Sequence, residues 1–224
     1  MRWHKVTAIN MNTSGENLLI VYGTNSLANS LPINEFLTSE EISFSEKLLG
    51  EGQKETWVSC RATLRLILGL YLDKKPVDLE FNKSRFGKLS LADSDLFFNI
   101  SHSQYSFLLA FGYGGRIGID IELLQGNEDL PALVHYAFSP AETNHYQRDA
   151  SPKRFTEIWT LKEAFLKAVG TGLVDSLPSI TVAGDSSNEI TRQKFHADTF
   201  HCPSGETGSV VYETDKPLHF IWLC

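Results

Sequence analysis

Ile117-Gly118-Ile119-Asp120-Ile121-Glu122 places isoleucine at every second position, the period of a strand with one apolar face. Asp120 and Glu122 therefore share the opposite face. Same-face residues on a strand lie roughly 6–7 Å apart, so two carboxylates of different length can converge on one hard cation. Magnesium takes a few carboxylates together with water and phosphate oxygens, and this pair makes an incomplete site that a phosphorylated ligand would finish. A solvent-facing acidic stripe satisfies the same pattern.

C-terminal to this strand, the spacing predicts a helix from about Pro152 to Val169, with Ile158, Leu161, Phe165 and Ala168 as its core stripe and Gly170 and Gly172 closing it. Glu163 and Lys167 stand one turn apart, off that stripe. A third carboxylate beside an ammonium suits metal-assisted phosphoryl transfer; it also reads as an ordinary helical ion pair. N-terminal to the strand, residues 96–100 and 106–111 read as two further strands, and Gly112-Tyr113-Gly114-Gly115 as a tight connection. Phe98-Asn99-Ile100-Ser101-His102-Ser103 offers hydroxyls and an imidazole where a strand becomes a turn, and a histidine held by local hydrogen bonds fits there equally. A Ser–His hydrolase pairing does not fit, because adjacent strand residues face opposite ways and no G-x-S-x-G elbow is present.

A second amphipathic helix runs from about Lys54 to Leu72, on Trp57, Cys60, Leu64, Ile67, Leu68 and Tyr71, with Arg61 and Arg65 on its flank. A shorter helix lies within 37–49, opened by Thr38-Ser39-Glu40-Glu41. Short strands are expected at 17–22, 79–81, 88–91, 180–182, 194–195, 208–212 and 219–223. Helix, strands, helix, strands in that order predicts an α+β fold in two halves, 1–112 and 113–224, meeting near Tyr113.

The 224 residues are 42% hydrophobic and 21% charged, ordinary for a globular chain. A net charge of −7 supplies no basic face for nucleic acid or anionic lipid. No stretch is long enough to span a membrane and the N-terminus lacks an apolar signal core, so the expected location is cytoplasmic. Cys60, Cys202 and Cys224 are too few and too far apart for a zinc site or a disulfide framework. The sequons at Asn12 and Asn99 then carry no meaning.

Four pieces in order, FNISHS at 98–103, GIDIE at 118–122, FSPAE at 138–142 and WTLKEAFLKAVGTGL at 159–173, together resemble the signature of the 4′-phosphopantetheinyl transferase superfamily, in its larger pseudo-dimeric type. The resemblance implies two similar α+β halves related by a pseudo-twofold axis, each a small antiparallel sheet packed with a long helix, and coenzyme A in the cleft between them. It implies magnesium, or manganese in its place, at Asp120, Glu122 and Glu163. Ser101, His102, Lys88, Lys162 and Lys167 would meet coenzyme A, and Arg61, Lys54 and Lys47 its 3′-phosphoadenosine end. Glu163 and Lys167 would be catalytic, with Glu163, directly or through a metal-bound water, taking the proton of a serine on an apo acyl or peptidyl carrier protein. A chain that contains both halves of the cleft is expected to be a monomer. Phe86-Gly87-Lys88 is followed by Leu89 where the family commonly has proline. Two other classes use the same residues: a magnesium-dependent hydrolase of a pyrophosphate or phosphodiester, and a non-catalytic module that binds coenzyme A or a carrier protein.

Overall fold

Strand β2 (Leu18–Thr24) is buried over all but its last residue, as an apolar run is when both faces of its sheet are covered. It belongs to a five-stranded sheet with β1 (His4–Val6), β5 (Leu96–His102), β6 (Ser106–Tyr113) and β10 (Leu218–Leu223), ordered β1-β10-β2-β6-β5. β6 runs antiparallel to β2 and β5, whereas β10 lies parallel to both β1 and β2. The computed structural model describes residues 2, 4–6, 16–50, 52–92, 94–123, 129–172, 177–184, 190 and 193–223. Cys224, Leu173 and the sequon at Asn12 lie outside the described residues.

Alternation sorts this sheet's side chains into two cores. Leu19, Val21, Phe107, Leu109 and Phe111 pack with Leu64, Ile67 and Leu68 of a long helix. Leu18, Ile20, Tyr22, Leu108 and Ala110 pack the other way, on Ile117, Ile119, Ile121, Phe200 and Val210. The second group comes from a three-stranded antiparallel sheet, β7 (Ile117–Glu122), β8 (His196–His201) and β9 (Thr207–Tyr212), ordered β7-β9-β8. Its outer face carries Val211 into a third core with Ile158, Phe165 and Phe195.

The helices are α1 (Ile33–Phe36), α2 (Ser39–Ser45), α3 (Gln53–Leu72), α4 (Leu130–Ala137), α5 (Pro140–Gln147) and α6 (Pro152–Val169). The layers are thus α3, five-stranded sheet, three-stranded sheet, α6. A separate two-stranded ribbon, β3 (Phe81–Lys83) with β4 (Leu89–Leu91), follows α3.

The expected α+β class, α3, α6 and strands β5 to β7 are found where the periodicity puts them. Differences lie elsewhere. Two helices that the side-chain period did not announce, α4 and α5, lie between β7 and α6. Ser139 accepts from the Glu142 amide while Glu142 accepts from the Ser139 amide, a reciprocal cap. No strand forms at 180–182, because the Val182 amide donates to Glu142 Oε1 at 2.8 Å rather than to a ladder. At 194–195 the chain turns, with Lys194 at φ 60, and the strand starts at His196. β6 of the five-stranded sheet ends at Tyr113 and β7 of the three-stranded sheet starts at Ile117, while β10 returns from the far end of the chain to lie between β1 and β2.

Candidate active site

β7 has one edge paired with β9 and the other turned toward β5. Along that second edge the Ile119 amide donates to Asn99 Oδ1 at 2.9 Å, so a buried side chain of β5 joins the two sheets. On the face of β7 away from the isoleucines, Gly118 lets α6 approach closely. A Cβ there would stand 2.0 Å from the Ala164 carbonyl oxygen and 2.3 Å from the Ala168 nitrogen, distances no side chain permits. Asp120 and Glu122 occupy the same face farther along, and the close contact brings the next turns of α6 over them.

The result is a cleft of about 550 Å³. Its walls are Trp57 and Arg61 of α3, the β3–β4 ribbon, Ser101 and His102 of β5, Asp120 and Glu122 of β7, and Trp159, Glu163 and Lys167 of α6. Lys167 Nζ donates to Asp120 Oδ1 at 2.6 Å and to Ser101 Oγ at 2.9 Å. The Ser101 hydroxyl in turn donates to Asp120 Oδ1 at 2.8 Å. Asp120 Oδ2 is buried with no partner, which leaves a carboxylate oxygen out of water and short of positive charge. Trp159 Nε1 donates to Glu122 Oε1 at 3.3 Å. Burial first, and the Asp120 charge second, push Glu122 up to about 7. Glu163 is raised by the same two causes, with Lys167 opposing them.

No group of three His, Cys, Asp or Glu side chains among the described residues is arranged as a ready-made metal site. Lys167 occupies one oxygen of Asp120, and Trp159 engages Glu122. What remains is an unpartnered buried oxygen and two carboxylates held above their ordinary range, a donor set that fits a hard divalent cation whose shell a ligand completes. His102 lies in the same wall; burial of its ring, then the Lys167 ammonium, hold its pKa below the usual histidine value. Arg61 sits over the rings of Trp57 at 5.4 Å and Phe81 at 5.5 Å and pairs with Glu41 at 3.5 Å. Its Nη1 is buried without a partner, available to an anion in the cleft. Arg65 is structural, bonded to Glu41 Oε2 and to the carbonyls of Pro76 and Leu79.

Four expected positions are corrected. Lys162 is 1% exposed and faces away from the cleft; Nζ is 2.6 Å from Glu142 and donates to the carbonyls of Ala137 and Leu177. It holds α4 and α5 to α6. Lys54, a turn before Trp57, and Lys47, beyond α2, are exposed and form no part of the cleft wall. Lys88 lines the cleft with its stem, but its ammonium is bonded to backbone carbonyls. The motif reading passed over two contributors: Trp159, which opens its fourth motif, and Asn99, which lies inside FNISHS. An indole donor one turn before Glu163 is the signal that would have found the first.

An α+β cleft that gathers three carboxylates, a lysine and an arginine has the donors that a cation and a phosphorylated ligand require. Residues 116–215 match the model of the 4′-phosphopantetheinyl transferase superfamily. The chain is 36% identical over 154 residues to the 4′-phosphopantetheinyl transferase HetI of Nostoc sp. PCC 7120, covering 66% of this chain and 65% of that one. It is 31% identical over 150 residues to the putative 4′-phosphopantetheinyl transferase slr0495 of Synechocystis sp. PCC 6803, covering 64% and 61%. It is 35% identical over 127 residues to the 4′-phosphopantetheinyl transferase Sfp of Bacillus subtilis strain 168, covering 54% and 53%. The chain spans less than two thirds of the length of these relatives. Three of the four motifs, those at 118–122, 138–142 and 159–173, fall inside the residues that match the superfamily model. No helix among the described residues is long and apolar enough to cross a membrane.

Proposed function

We propose that this protein transfers 4′-phosphopantetheine from coenzyme A to a serine of an apo acyl or peptidyl carrier protein. The observation that supports it is the unpartnered, buried Asp120 Oδ2 beside Glu122, Glu163 and Lys167 in a cleft with an unpaired arginine nitrogen. Asp120, Glu122 and Glu163 would hold magnesium, with manganese a substitute. The ion, when bound, neutralises the pyrophosphate and polarises the phosphorus under attack.

Arg61 accepts the 3′-phosphoadenosine end, and His102 and Ser101 border the pyrophosphate. Lys167, already held by Ser101 and Asp120, presents its ammonium to the transferring phosphate. The carrier serine oxygen forms a bond to the β-phosphorus, and the bond from that phosphorus to the bridging oxygen breaks. Adenosine 3′,5′-bisphosphate leaves with the electron pair. Glu163 takes the serine proton, directly or through an intervening water, and its raised pKa makes it a stronger base than an ordinary carboxylate. No covalent enzyme intermediate is required; positioning and charge neutralisation suffice. We place the protein in the cytoplasm as a monomer, with Lys47, Lys54 and Lys162 outside the reaction.

The test is intact-mass spectrometry of an apo acyl carrier and an apo peptidyl carrier protein incubated with coenzyme A and magnesium, with an EDTA control. A metal-dependent gain of one phosphopantetheine is expected on at least one carrier. No gain on either, with adenosine bisphosphate released into water instead, would establish the hydrolase; coenzyme A binding without any release would leave a binding module.

A further inference from the structure

A two-stranded ribbon has little stability alone, and β3–β4 is joined to neither sheet. Its turn is shaped locally. The amides of Phe86 and Lys88 donate to Ser84 Oγ at 3.3 and 3.1 Å, Gly87 donates to the Ser84 carbonyl at 2.9 Å, and Gly87 adopts φ 85. The turn so formed reaches across the cleft to the C-terminal half. Lys88 Nζ donates to the Lys167 carbonyl at 2.5 Å, to the Ala168 carbonyl at 3.2 Å and to the Ile117 carbonyl at 3.3 Å. The first two belong to the last turn of α6, whose carbonyls have no partner within the helix. The third is at the start of β7. Beside this contact the Phe86 ring covers Gly172, where a Cβ would lie 3.1 Å from the ring and the backbone holds φ 67.

An ammonium has three donors and no acceptor; here all three reach carbonyls, and none is left for a phosphate. Burial draws the Lys88 pKa down to about 8, with Arg116 adding to the effect and Glu213 opposing it, as expected of an ammonium held among dipoles rather than beside a carboxylate.

We propose that Lys88 is a positioning residue that latches the β3–β4 ribbon of the N-terminal half to the end of α6, fixing one wall of the cleft and the backbone from which Lys167 reaches Asp120. Its catalytic consequence rests on the transferase reading; the latch itself does not. The assignment replaces the role as a coenzyme A ligand that the family resemblance implies for this residue.

Hydrogen–deuterium exchange of the metal-free, ligand-free protein separates these roles. Lys88→Met removes the three donors. Gly172→Ala, which touches no charge, pushes Phe86 off the same contact. Both variants should speed exchange in the peptides covering 84–91 and 165–170, with the rest of the chain unchanged. With coenzyme A and a carrier, both should lower transfer about tenfold in the same kcat-to-KM proportion, as a displaced wall would. Unchanged exchange at 84–91 in Lys88→Met overturns the proposal. So does a loss of coenzyme A affinity in Lys88→Met that Gly172→Ala, loosened to the same extent, does not share, because that makes Lys88 a ligand. Absence of transfer in the wild type would sink the transferase reading and leave the exchange result to decide the latch.

Discussion

Glu122 is held at about 7 against an ordinary 4.5 by burial and by Asp120. The folded metal-free chain therefore binds more protons at this group than the unfolded chain between those two values. Its contribution makes stability fall as pH rises from about 4.5 to 7. Glu122→Gln removes that slope. In EDTA at pH 7 it should melt higher than the wild type, by about 1–2 kcal/mol once partial exposure is allowed for. With saturating magnesium the order should reverse, because only the carboxylate gains from the ion. Thermal melts across pH with and without metal check both signs; a Glu122→Gln protein that magnesium stabilises as strongly as the wild type would remove Glu122 from the metal set. For transfer, Asp120→Ala and Glu163→Ala should each fall by at least about 10³-fold with far-UV circular dichroism unchanged. Wild-type turnover in either would end the assignment. Lys167→Ala adds a second defect: it strips Asp120 of the ammonium paired with it at 2.6 Å, so the protein should lose stability as well as rate.

At the scale of elements, two residues decide whether α6 lies where the site needs it. Lys162→Met leaves Glu142 buried at 0% exposure without its counter-ion and should cost about 3–5 kcal/mol. Coenzyme A affinity per folded molecule should stay as in the wild type; a calorimetric titration showing otherwise would return Lys162 to the cofactor site. Gly118→Val drives a branched side chain into the backbone of α6 at Ala164 and Ala168. It should unfold the C-terminal core or open the gap between β7 and α6, seen as lost near-UV signal.

These same elements show what could be read in advance. α3, α6 and β5 to β7 follow from side-chain period because each buries one continuous face. The carboxylates were legible because an alternating strand leaves only one place for them. Lys162 was misread although the signal was present: four residues after Ile158 and three before Phe165, it sits on the buried stripe, and its partner Glu142 lies in a quoted motif. Strand β1 is three residues long and owes its existence to β10 beside it, where His4 faces Ile221, a partner 217 residues away that no local pattern announces.

At the scale of the whole molecule, β10 binds the two halves into one folding unit. It lies between β1 and β2 and supplies Phe220 to the core between the sheets and Ile221 to the core under α3. A chain cut after Lys216 should therefore lose the five-stranded sheet as a cooperative unit rather than shed a frayed end. Residues 1–112 expressed alone should not melt cooperatively, and mixing them with 113–224 should restore both the transition and the cleft. A sharp calorimetric transition for 1–112 by itself would show that the halves are independent.

The placement of β10 also imposes an order in time. Two hundred residues separate Leu18 from its neighbour Leu218, so at about 5–20 residues per second a ribosome needs roughly 10–40 s to deliver the second after the first. Through that interval one border of β2, an apolar segment built to lie inside a sheet, has no neighbour and is open to the wrong one. Slow synthesis lengthens the exposure and a stop before β10 makes it permanent, so the yield of this protein in a cell should depend on how fast β10 arrives and on what shields β2 until it does.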